Sequence, residues 1–377
     1  MTVPALPEAL LAGPRGRRFL LGLASDLDER ESGAGAREGL FALIHAASHA
    51  LEPERGRASV PLASEGSRGR AAAPIAPVST EEIAAAIDRL ELPRLEAGAA
   101  ALREALASAV RAARYWQWPD GTDALAATPI VRDALARISR HVAGSPAAEY
   151  LTAEFSSRSQ VSTAFDGAEH PAPLGATSRV LADWHRDTVR SEGEASLAYP
   201  ADPADCPGGE WWSTPPFGVP MSTPREPDGS SAALWFTEDE FGWERAQLQP
   251  LGSPAELRVF EIDGPEAWAE LCRRFPLDVS ALVRRDWFET TGRPGDWVVP
   301  DWHAASNHFD AIHLTVLGYL SAAGSAIPVD AGRASVIAGW TPGGTSWLTD
   351  RFRYLGEPET WAREDTAGIG AWRRVGS

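Results

Sequence analysis

The chain has 377 residues and no lysine; its 35 basic side chains are all arginine. Without an ε-amino group there is no Schiff-base lysine, which excludes pyridoxal-phosphate and lysine-aldolase chemistry. A Walker A lysine and the strand lysine of a protein kinase are excluded on the same ground. Cysteine is nearly as scarce. Cys206 and Cys272 are isolated from each other in sequence. They form neither a disulfide framework nor a zinc ribbon, and they suit a reducing cytosol. Long apolar runs are missing too, since none reaches the roughly 18 residues a membrane span needs. Arg17-Arg18-Phe19 superficially looks like a twin-arginine signal, but the apolar run after it stops at Ser25-Asp26. That is too short for a signal-peptide core. A cytoplasmic protein without membrane contact is expected. Positive charge is in deficit, with a formal net charge of -17. No nucleic-acid partner is expected, because nothing offsets phosphate repulsion. There is no G-x-S-x-G elbow and no G-x-G-x-x-G between strand and helix, which disfavours a serine hydrolase and a Rossmann domain.

What is present divides into two regions. A hydrophobic content of 44% supports a real core, and the length suits two domains or one large domain with an extension. Residues 1–150 read as a helical domain. Phe19, Leu20, Leu23 and Leu27 fall at helical spacing, as do Leu40, Leu43, Ile44 and Ala47. Residues 52–78 are rich in Gly, Ser, Arg and Pro and read as a flexible linker or long loop. Ser79 with Glu82 forms a capping-box pattern ahead of Ile83, Ile87 and Leu90. A helix is expected from Arg94 to Tyr115, and another from Asp123 or Thr128 to Ala143. Residues 151–204 read as a connecting region, in which Val180 to Val189 fits helix or strand equally.

Residues 205–377 read as an α+β domain with a mixed or antiparallel sheet and a few helices. Pro265 opens a helix whose stripe is Trp268, Leu271, Cys272 and Phe275, which makes Cys272 a core thiol. Asp310–Val316 alternates as a strand, with Ile312, Leu314 and Val316 on one side and Ala311, His313 and Thr315 on the other. His313 and Thr315 are therefore expected as same-face neighbours. Strand-like runs follow at Ser335–Trp340 and Ser346–Tyr354. His45 and His49 share a helix face, but no third ligand or helix glutamate accompanies them, and no metal is expected.

Seven segments carry a resemblance: WWSTP at 211–215, MSTPR at 221–225, ALWFTEDEFGW at 233–243, LRVFEIDGPEAWAELCRRFPLDV at 257–279, RRDWFETTG at 284–292, DWHAASNHFDAIHLTVLGYL at 301–320 and AGWTPGGTSWL at 338–348. Together they resemble a group of uncharacterised actinobacterial proteins whose C-terminal region is similar to ADP-ribosyltransferase-like domains. The resemblance implies NAD as cofactor and cleavage of its nicotinamide–ribose bond through an oxocarbenium-like state. Such a state needs a carboxylate, ribose-positioning hydroxyls and an aromatic to stack nicotinamide. By this likeness Ser222 and Thr223 match a Ser-Thr strand, and His313 and Thr315 match an HLT strand. The family's glutamate falls at Gly343 or Gly344. Either another acid serves (Glu238, Asp239, Glu240 or Asp310), or the chain is inert in that sense. The catalytic candidates are thus His313, Thr315 and Glu238. The substrate-binding candidates are Ser222, Thr223, Arg225, Trp235, Tyr319 and Asp310.

The expected activity is an intracellular enzyme acting on a nucleotide or small molecule. The alternative is a non-catalytic binding protein on a degenerate transferase-like scaffold. A third reading has the N-terminal helices grip a protein partner. Every candidate side chain also has a plain structural use, as a turn hydroxyl, a satisfied strand group or a core aromatic.

Overall fold

The computed structural model of the chain describes residues 5–32, 39–53, 78–96, 100–167, 176–238, 242–364 and 371–376. The expected linker therefore lies, except for its ends, outside the described residues, as do Asp239 and Glu240.

The N-terminal part is helical, as its periodicity predicts. Its helices are α1 (Leu6–Ala12), α2 (Pro14–Ser32), α3 (Leu40–Leu51), α4 (Thr80–Arg89), α5 (Ala100–Arg111), α6 (Gly121–Ala127), α7 (Pro129–Ala143) and α8 (Ala147–Leu151). Phe19, Leu20, Leu23 and Leu27 bury one side of α2. The capping box opens α4: Glu82 N donates to Ser79 Oγ at 3.2 Å and Ser79 N to Glu82 Oε2 at 2.8 Å. Of the two starts expected for the helix ending at Ala143, the later holds: Thr128 precedes α7, and α6 is a separate helix before it. Proline lacks an N–H and biases its predecessor away from the helical region, so Thr128 is extended between α6 and Pro129. His45 and His49 are exposed on α3.

Next come β1 (Gln160–Phe165), α9 (Thr177–Ala198), β2 (Met221–Pro224), β3 (Arg245–Gly252) and β4 (Val259–Ile262). They are followed by α10 (Pro265–Arg274), β5 (Pro276–Asp278), α11 (Arg284–Thr291), β6 (Asp296–Pro300) and α12 (Trp302–Ala305). The chain then forms β7 (Ala311–Leu314), α13 (Val316–Ala322), β8 (Ile327–Pro328) and β9 (Arg333–Ser335). It closes with β10 (Thr345–Trp347), β11 (Arg353–Tyr354), β12 (Glu359–Glu364) and β13 (Ala371–Arg374). The main sheet runs β13-β12-β3-β1-β2-β10-β7-β4, with β11 also on β3. It is mixed: β4 and β7 are parallel, and the other pairings are antiparallel. A smaller sheet runs β5-β6-β9-β8.

Several expectations are changed or resolved here. The connecting region supplies β1, which lies between β3 and β2 in the sheet. The run Val180–Val189 is helical, inside α9. The strand expected to reach Val316 stops at Leu314, because Thr315 caps α13: its Oγ1 accepts from Gly318 N at 2.9 Å. The later strands are also shorter than expected. Gly339 and Gly343 take positive φ (83° and 73°), which turns the chain where Ser335–Trp340 would otherwise continue.

The two parts share one core. It runs from Leu10, Phe19, Leu106 and Ile138 to Trp268, Trp287, Trp302 and Trp340 without a break near residue 150. The approach is close. A Cβ at Gly13 would stand 2.6 Å from Leu320 O, so only glycine lets the α1–α2 elbow rest on α13. Cys272 is buried on α10, and burial pushes its thiol up to about 12. No described helix is long and apolar enough to cross a membrane.

Candidate functional site

Strand register separates the candidate residues onto two faces of the main sheet. His313 pairs with Thr345, and Thr345 with Ser222, so these three share a face. Glu261 on β4 pairs with His313 from the other side and joins them. Val161 pairs with Thr223, which puts Thr223 and Arg225 on the opposite face together with Ile312 and Leu314. That second face meets the helices.

The first face carries a row of mutually satisfied polar groups. His313 Nδ1 lies 2.8 Å from Thr345 Oγ1. Ser222 Oγ donates to Gln160 Oε1 at 2.6 Å and accepts from Trp347 Nε1 at 2.9 Å. Glu261 Oε1 accepts from Phe155 N at 2.9 Å. The Phe155 ring meets His313 and Trp347 edge-on, at 5.9 and 6.1 Å. His313 is 2% exposed, and burial depresses its imidazole to about 4, so the ring is neutral at pH 7. Desolvation raises the Glu261 carboxyl, with Glu154 and Asp263 adding to it against the Phe155 N–H. Sequence reading missed Thr345, Gln160, Glu261 and Phe155. Register brings Thr345 and Glu261 to His313 and Gln160 to the Ser222 strand, and the segment before β1 adds Phe155.

Thr315 does not stand beside His313 on a strand. It is the α13 cap, and its hydroxyl also reaches Ile262 O at 3.4 Å. Asp310, fully buried, is clamped by arginines. Arg258 N and Nη2 donate to it at 3.0 Å each, and Arg351 Nη1 at 3.2 Å. Burial works to raise this carboxyl, but Arg258, helped by Arg351, overrides it and holds the group below the usual range.

Glu238 and Tyr319 meet at the seam between helices and sheet. Tyr319 OH donates to Glu238 Oε1 at 2.6 Å, Gly339 N donates to Oε2 at 2.6 Å, and Tyr115 OH lies 3.3 Å from Tyr319 OH. Desolvation raises the Glu238 carboxyl to about 7 despite the hydrogen bonds from Tyr319, Tyr115 and Gly339. Nearby, Arg15 pairs with Asp123 and donates to Ala109 O at 2.9 Å.

Arg225 and Trp235 line a groove of about 790 Å³ on the helix-facing side of the sheet. The floor includes Trp361 and Trp372, and Arg103 of α5 closes one side with its guanidinium 4.2 Å above the Trp235 ring. Arg373 and Arg374 stand on the β13 edge strand. Acids orient the guanidiniums: Arg103 to Asp228 at 2.6 Å, Arg225 to Glu359 at 3.2 Å, and Arg374 to Glu359 at 3.7 Å. Thr223 lies behind the groove wall, where its Oγ1 and that of Thr163 each meet Ser231 Oγ at 2.7 Å. Trp361 Nε1 is buried without a partner among the described residues. The C-terminal contribution was readable in principle, since Trp361 and Trp372 each sit in a short run with arginine, Trp361-Ala362-Arg363 and Trp372-Arg373-Arg374.

Among the described residues no three His, Cys, Asp or Glu side chains are grouped to hold a metal ion. In comparisons with known proteins the chain matches no family model, no curated protein and no solved structure.

Proposed function

We propose that the chain binds a small anionic ligand with a flat ring, of the nucleotide kind, in the groove between α5 and the β12–β13 end of the sheet. The supporting observation is convergence: Trp235, Trp361 and Trp372 meet Arg103, Arg225 and Arg374 around a volume of about 790 Å³, within the span typical of small-molecule sites. Indoles supply stacking area, and guanidiniums match phosphate oxygens in pairs. The existing Arg–carboxylate pairs are partly exposed and worth about 0–1 kcal/mol each, so a phosphate can compete for the guanidiniums. The chain is then a binding protein, and its transferase-like Ser222 and His313 serve the sheet. Calorimetry with ATP, ADP-ribose and NAD at low salt tests this. Saturable heat is expected, weakened at least tenfold in Arg225→Ala and Trp235→Ala. No heat from any of the three refutes the reading.

One observation favours a second reading, an NAD-cleaving transferase. Register sets Glu261 beside His313 and so supplies an acid where Gly343 and Gly344 have none. Phe155 would have to swing away to admit substrate. Release of free nicotinamide from NAD, lost in Glu261→Gln, is the expected sign; no release sinks it.

A further inference from the structure

One carboxylate spans two of the guanidiniums in the Arg225–Trp235 groove. Glu359 Oε2 accepts from Arg225 Nη1 at 3.2 Å, and Glu359 Oε1 stands 3.7 Å from Arg374 Nη2. Register brings them together. Trp361 pairs with Arg374, and Glu359 is the preceding residue on Trp361's side of β12, so all three side chains share a face of the sheet. Pairing through β3 and β1 carries that face to Thr223 and Arg225. Arg373 and Glu364 fall on the other face and pair with each other.

The two acids that meet these guanidiniums and that of Arg103 are held differently. Asp228 Oδ2 accepts from Arg103 Nη1 at 2.6 Å, while its Oδ1 accepts from Ser230 N at 3.0 Å and from Ser230 Oγ at 2.5 Å. Its own turn therefore keeps it in place. Among the described residues the Glu359 carboxylate has only the two arginines. Its side chain is 18% exposed, so water is at hand to receive it. Arg225 Nη1 also donates to Gly229 O at 2.9 Å, so it keeps its position when Glu359 turns away. The ion pairs given up are partly exposed and weak.

Charge then selects what replaces Glu359. A phosphomonoester carries about −1.5 to −2 charges at pH 7 on three acceptor oxygens. It returns more than the carboxylate it displaces, and its oxygens match paired guanidinium donors. A phosphodiester returns a single charge on two free oxygens and gains nothing by the exchange.

We propose, building on the groove reading above, that Glu359 is a built-in stand-in for the ligand's anion and that the groove selects a terminal phosphomonoester. The phosphoryl group takes the Glu359 position between Arg225 and Arg374, and Glu359 turns to water. Calorimetry at low salt with AMP, its methyl phosphodiester and adenosine tests this on the parent chain and on Glu359→Gln. AMP should bind the parent at least fivefold more tightly than the methyl ester. Glu359→Gln, which removes the internal competitor, should tighten AMP at least threefold, and adenosine by less, since adenosine brings no anion to the arginines. Equal affinity of AMP and its ester in the parent overturns the proposal without need of a variant. AMP binding that is unchanged or weakened in Glu359→Gln overturns it too, and makes Glu359 a positioning residue for the guanidiniums. In both cases the groove still binds, so the reading above survives. Absence of binding by all three ligands removes that reading and this proposal with it.

Discussion

Glu238 and His313 are both buried titratable groups, and burial shifts them in opposite directions. The Glu238 carboxyl lies at about 7, against 4.5 for an ordinary glutamate. Between those values the folded chain holds a proton that the unfolded chain has lost, so stability falls as pH rises through the window. His313 lies at about 4 against an ordinary 6.5. There the unfolded chain holds the extra proton, so stability is full above the upper value and is lost as pH falls toward the lower one. The two slopes oppose each other over most of the weakly acidic range. In urea unfolding, Glu238→Gln should uncover a rise in stability from pH 4 to 6.5 and exceed the parent at pH 8 by on the order of 2 kcal/mol. His313→Gln should uncover the converse fall. Flat profiles in both variants would show that neither group titrates as described. The Glu238 environment was not legible in the sequence, because Tyr115, Tyr319 and the Gly339 N–H arrive from three distant segments.

Secondary-structure elements were legible wherever local chemistry decided them. Ser79 and Glu82 announce α4, and Pro265 announces α10, because caps and fixed φ values act within a few residues. Alternation in Ala311–Leu314 was read correctly and then carried too far, since Thr315 followed by Val316 and Leu317 fits a strand as well as a helix start. Only the approach of Ile262 decides for the helix. A Cβ at Gly318 would stand 2.2 Å from Ile262 O, so α13 begins where the parallel partner β4 leaves no room for a side chain. Thr315→Ala should therefore act as the loss of a cap, lowering stability by about 1 kcal/mol, while nucleotide binding in the groove stays as it was. A fall in ligand affinity at unchanged stability would return Thr315 to the binding machinery. Strand order was beyond sequence reading altogether. β12 and β13 close one edge through pairing with β3, more than a hundred residues earlier, and no local pattern encodes that.

At the scale of the whole molecule, the composition shift near residue 200 is genuine, but it marks a change of element type within one core. Helix residues Leu106, Val110 and Ile138 belong to the same buried cluster as Trp268, Trp287 and Trp340. Polar ties cross the same seam: Tyr115 to Tyr319 and Glu238, and Arg103 to Asp228 and the Trp235 ring. Domains that fold independently are joined through segments that few contacts cross, and this seam is the reverse case. Removing residues 1–151 would uncover α13 along Tyr319, Leu320 and Ala322, all now buried, and would leave Glu238 facing water beside an apolar wall. The intact chain should accordingly melt in one transition, with far-ultraviolet circular dichroism and tryptophan fluorescence coincident. The fragment 152–377 should bind a hydrophobic dye and lack that cooperative step. Two separated transitions in the intact chain, or a fragment that melts sharply without dye binding, would mean that the helices are an appendage and that the groove can form without Arg103.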